Sequence, residues 1–136
     1  MRYLVDANVL SEPTKPAPDV QVVEWLRRHE REIAVDPIVL GELKFGILLL
    51  PSGKKRARLE QWFETGAKRL RCLPWEPETG LRWAELLARL RLGGRAMPIK
   101  DSLIAATALV HDLNVVTRNR ADFEKAGVRV VDPFSG

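Results

Sequence analysis

Short apolar, β-prone runs alternate with helix-length segments along this chain, and that alternation is its strongest constraint. The runs are Arg2–Val5, Ile33–Val35, Arg71–Leu73, Asn114–Val116 and Arg129–Val131. Between them the spacing predicts helices over about Asp19–Glu30, Pro37–Leu50, Lys54–Lys68, Pro77–Leu92 and Ile99–His111. Asp36 precedes Pro37 as a natural N-cap, Pro13, Pro16 and Pro18 mark a loop, and Gly93-Gly94 ends a helix. Runs this short with no polar alternation suit strands buried on both faces. The expectation is an α/β fold: a mainly parallel sheet of four to five strands covered by helices on both sides.

A length of 136 residues with 46% hydrophobic content suits one domain over 1–136 and excludes a disordered chain. Cys72 is the only cysteine, so a disulfide scaffold is excluded. No apolar run approaches the roughly 18 residues of a membrane span, and Asp6 interrupts what a signal peptide would keep apolar. We therefore expect a cytoplasmic protein. The net charge is +4, but residues 53–71 alone carry Lys54, Lys55, Arg56, Arg58, Lys68, Arg69 and Arg71 against Glu60 and Glu64. Arg89, Arg91, Arg95 and Lys100 form a second basic group. Such stretches attract phosphate backbones, although a solvated helix face has the same composition.

Several polar residues fall where an α/β sheet builds sites, beyond the carboxyl ends of strands. Asp6 directly follows the first strand and shares its loop with Asn8; either residue also suits a plain turn. Glu42 interrupts an otherwise apolar helix, on one face with Ile38, Phe45 and Leu49. A carboxylate there needs a cation or a salt bridge. Asp101 begins the last long helix, where the dipole favours an anion and where it also simply helps the helix start. Thr117-Arg118-Asn119-Arg120-Ala121-Asp122 follows another strand as a loop, offering oxygen ligands or turn chemistry. Carboxylates gathered without clustered cysteine or histidine suit a hard cation, Mg²⁺ or Mn²⁺. His29 and His111 share no ligand spacing with them and read as surface and helix-end residues.

The segments YLVDANVLSEP, PIVLGELKFGI, PIKDSLIAATALVHDLNVVTRNRADF and VVDPF together resemble the PIN-domain family, most closely the VapC-type and FitB-like toxins of bacterial toxin–antitoxin pairs. The resemblance runs through nearly the whole chain in order. It implies a PIN-like three-layer α/β/α sandwich and a magnesium-dependent endoribonuclease, the toxin of a pair held inactive by a cognate VapB/FitA-like antitoxin. It assigns Asp6, Glu42, Asp101 and Asn119 to the catalytic set, with Asp6, Glu42 and Asp101 on the metal and Asp122, Asn8 and Thr117 as further ligands or supports. Two positions depart from the family pattern. Ala7 stands where many members carry a supporting Thr or Ser, and Asn119 stands where many carry Asp.

On this reading metal-activated water attacks a phosphodiester, preferably in single-stranded or loop RNA. Arg118, Arg120, Lys54, Lys55 and Arg56 are the candidates for phosphate contact. The helices at 19–30 and 37–50 are expected to grip the antitoxin, since Ile47–Leu50 is more apolar than one buried face requires. A homodimer and a toxin–antitoxin hetero-oligomer are both expected. The rival reading is a non-catalytic RNA-binding or assembly module of the same fold, for which Ala7 and Asn119 are the best support.

Overall fold

A computed structural model describes residues 2–135. Five parallel strands form one sheet: β1 (Tyr3–Val5), β2 (Ile33–Val35), β3 (Arg71–Cys72), β4 (Asn114–Val116) and β5 (Val130–Val131). Their order is β3-β2-β1-β4-β5, so the chain starts at the centre, builds one side and then crosses to build the other. Seven helices connect them: α1 (Ala7–Leu10), α2 (Val20–His29), α3 (Pro37–Leu48), α4 (Lys54–Thr65), α5 (Pro77–Leu92), α6 (Ile99–His111) and α7 (Arg120–Lys125). The architecture is the expected α/β/α sandwich. Leu4, Val5, Val35, Val115 and Val116 lie wholly inside it, packed with Val9, Val22, Val39, Ile104 and Phe123 from the helices.

Helix starts follow local chemistry. Asp19 caps α2 by accepting from the Gln21 N–H at 2.9 Å, and Asp36 caps α3 from the Ile38 N–H at 2.8 Å. Asp36 is wholly buried and also accepts from Trp75 Nε1 (3.0 Å) and the Thr107 hydroxyl. Burial pushes its carboxyl up, and these three donors oppose that shift. One side chain thereby fastens the N-terminus of α3 to the middle of α6.

Four expectations are corrected. Asp6 is the N-cap of the four-residue helix α1, where only a loop was expected. The segment after β4 leads into α7, with Arg120 to Asp122 as its first turn and Phe123 as its buried anchor. The face of α3 that carries Glu42 turns outward past it: Phe45 is 64% exposed and Leu49 69%. His29 is half-buried and stacked on Trp25 with ring centroids 4.3 Å apart.

Candidate active site

The strand order reverses between β1 and β4, the crevice where open α/β sheets bind ligands. Val5 pairs with Val116, so the next residues, Asp6 and Thr117, leave the sheet side by side. The Asp6 N–H bonds the Val116 carbonyl at 2.9 Å, and the Thr117 hydroxyl donates to Asp6 Oδ2 at 2.7 Å. Asn8 Nδ2 donates to the same oxygen at 3.3 Å, while Ala7 N–H takes Oδ1 at 2.8 Å. Asn8 Oδ1 accepts from the Arg118 N–H at 3.1 Å, joining the two loops. Thr117 and Asn8 therefore supply the polar support that Ala7 lacks.

Asp101, 6% exposed in the first turn of α6, faces the same end. Asn119 donates its amide to Asp101 Oδ2 at 2.7 Å, and its own N–H bonds Thr117 Oγ1 at 3.0 Å. Burial first, then the charges of Asp6, Asp122 and Glu42, push the Asp101 carboxyl up to about 6, with Lys100 opposing. Asp122 thus belongs to the local field, although its carboxylate pairs with Lys125 at 3.3 Å. Glu42 points one oxygen at Lys100 Nζ, 2.8 Å away; its other oxygen, Oε1, is buried with no hydrogen-bond partner.

The basic candidates separate. The Arg118 guanidinium carbon sits over the Phe134 ring, 3.6 Å from its centre. Arg120 reaches the Val130 carbonyl at 3.5 Å and Glu124 at 4.0 Å. Arg56 is half-buried and committed to Glu60 and the Leu50 carbonyl, both at 3.1 Å. Lys54 and Lys55 join Lys15 and Arg58 along a groove of about 760 Å³ between residues 14–16 and α4.

Two functional features lay outside the sequence reading. In sequence Lys100 belongs to the second basic group, yet it meets Glu42. Glu12 is a buried carboxylate that accepts from the Asp19 N–H (2.8 Å) and pairs with Lys15 (2.9 Å). These contacts, in that order, and the nearby Arg118 charge hold it below the usual glutamate range. Glu12, a lone acidic residue beside Pro13, gives no periodic signal, and Lys100 looks like any surface lysine.

A PIN-domain model matches residues 3–128. The chain belongs to the PIN-domain family. Toxin FitB of Neisseria gonorrhoeae is 35% identical over 135 residues, covering 96% of this chain and 97% of FitB. VapC ribonuclease Y4jK of Sinorhizobium fredii is 33% identical over 135 residues, covering 96% of each chain. A solved structure of FitAB bound to an IR36 DNA fragment superposes on this PIN domain with a TM-score of 0.91 at 32% identity, covering 97% of this chain and 95% of the other. Among the described residues no helix is long and apolar enough to cross a membrane.

Does this PIN domain suit a divalent cation? No three His, Cys, Asp or Glu side chains among the described residues close around one point as they stand. Mg²⁺ does not need that, because it keeps several waters and takes one or two protein carboxylates. The donors are all oxygen, and the buried Glu42 Oε1 lacks a hydrogen-bond partner. On donor chemistry and on that orphaned oxygen, the site fits a hard cation.

Proposed function

We propose that this PIN domain is a metal-dependent endoribonuclease and the toxin of a toxin–antitoxin pair. The observation that carries the reading is that Asp101 lies within the fields of both Asp6 and Glu42, while Glu42 Oε1 is buried without a hydrogen-bond partner. Asp6, Glu42 and Asp101 would hold Mg²⁺ or Mn²⁺, directly or through waters. When bound, such an ion supplies a water of lowered pKa and neutralises charge on a phosphate oxygen.

The chain's own residues supply the rest. Thr117 and Asn8 fix the rotamer of Asp6, and Asn119 fixes Asp101. Asp101, with its carboxyl near 6, exchanges a proton close to neutral pH until a cation favours its charged form. Lys15, Lys54, Lys55 and Arg58 give single-stranded RNA a cationic groove to follow.

The partner reading rests on the same fold. FitB is called a toxin, and the superposed structure is a FitAB complex on DNA. In this chain Phe45, Leu48 and Leu49 expose a contiguous apolar end of α3, suited to an antitoxin segment; Leu81, Leu92 and Ile99 offer apolar surface for a second copy. The test is expression with and without the protein encoded beside it. Growth arrest relieved by that neighbour, a co-purifying complex, and RNA cleavage that needs Mg²⁺ or Mn²⁺ and stops in EDTA are expected. Phe45→Glu should abolish the complex while cleavage persists. A binding-only module would bind RNA and leave it intact.

A further inference from the structure

The short contact between Lys100 and Glu42 has a consequence beyond the carboxylate site. Lys100 sits in the first turn of α6, where the helix dipole disfavours a cation, directly before Asp101. Its ammonium is 2.8 Å from Glu42 Oε2. Glu42 itself is largely buried, whereas the Lys100 side chain is 54% exposed. The two oxygens of Glu42 are thus divided: Oε2 is on an ammonium, and Oε1 is buried without a partner. A residue placed against its local helix preference and bound to a candidate site carboxylate is the kind of local conflict that points to function.

We propose that Lys100 is a second, built-in cation of the nuclease centre: it holds Glu42 through Oε2, leaves Oε1 for a divalent ion, and presents its remaining N–H donors to the phosphodiester. This rests on the nuclease reading above. The electrostatics favour a further cation at this place. Asp6, Glu42 and Asp101 together carry more negative charge than one divalent ion neutralises, and the incoming phosphodiester adds another. The Lys100 ammonium offsets one of these, and an ammonium has three donors, of which Glu42 uses one. Exposure lets the others reach a bound backbone. No bond is made or broken at Lys100. Its role is to carry charge and to contact a phosphate oxygen.

The proposal gives metal binding and turnover opposite responses to loss of the charge. Lys100→Met removes a cation beside the ion's own place, so the RNA-free protein should bind Mn²⁺ more tightly, by about 3- to 10-fold. The same variant should lose about 30-fold or more in kcat on single-stranded RNA at saturating Mg²⁺. Lys100→Arg, which keeps the charge and donors, should stay within about 5-fold of wild type in both measurements. Mn²⁺ titration followed by electron paramagnetic resonance reads the first effect and initial-rate kinetics the second. A lysine that only supports the fold would weaken both together. Wild-type kcat in Lys100→Met, or Mn²⁺ binding no tighter than wild type, overturns the proposal. If the wild type cleaves no RNA with either metal, the nuclease reading fails instead, and the Mn²⁺ titration alone decides whether Lys100 shares the centre with the ion.

Discussion

Asn119 donates its side-chain amide to Asp101 Oδ2 across 2.7 Å, so the residue that precedes α7 holds the carboxylate that begins α6. Where many family members carry Asp, this chain uses a neutral donor. Asn119→Asp should exchange a hydrogen bond for a like-charge contact and destabilise the metal-free protein by about 1–2 kcal/mol. The variant should also gain more from Mg²⁺ than the wild type does. Thermal unfolding in EDTA and in Mg²⁺ reads both effects; equal stability in EDTA would mean that the amide bears no load.

Asp101 also sets a pH dependence. Its carboxyl lies near 3.8 in the unfolded chain and near 6 in the folded one. Below 3.8 both states are protonated and nothing is lost. Between 3.8 and 6 the folded state keeps a proton that the unfolded state has released, so stability falls as pH rises. Above 6 the full penalty applies, about 1–3 kcal/mol. In EDTA at pH 7, Asp101→Asn should therefore be more stable than wild type by about 1–2 kcal/mol, and its advantage should vanish towards pH 4. Urea unfolding at a series of pH values checks this.

Thr117 should matter more than its place after a strand suggests. It donates to Asp6, accepts from Asn119 N–H and also accepts from Asn8 at 3.3 Å. Thr117→Val keeps the volume and removes the hydroxyl, leaving polar groups unpaired in a wholly buried place. A loss of about 1–3 kcal/mol in stability and about 10- to 100-fold in cleavage is expected, read by denaturant titration and RNA cleavage rates.

The sequence is most legible where one local rule decides. Pro37 behind a capping Asp36, the helices Pro77–Leu92 and Ile99–His111, and the apolar runs Ile33–Val35 and Asn114–Val116 lie where their residues indicate. Elements of four or six residues, such as α1 and α7, are too short for a period to show. The apolar excess of Ile47–Leu50 is legible and Leu48 and Leu49 are indeed exposed, but only the packing reveals that Phe45 shares that outward side. The site divides in the same way. Asp6, Glu42 and Asp101 were visible as carboxylates in apolar or terminal positions. Thr117 and Asn8 are legible as supports through the family resemblance alone; which oxygen each one holds, and the bonds of Thr107 and Trp75 to Asp36, arise only in the fold. Lys100 was hidden by its likeness to any surface lysine.

Asp6→Asn, Glu42→Gln and Asp101→Asn decide whether Asp6, Glu42 and Asp101 act together on a metal to cut RNA. Each purified variant, its fold verified by circular dichroism, is incubated with single-stranded RNA in Mg²⁺ beside the wild type and an EDTA control. Each substitution should lower cleavage at least about 100-fold, to the EDTA background. Cleavage near the wild-type rate by any one of the three would contradict the claim for that residue, and cleavage by all three would contradict the site.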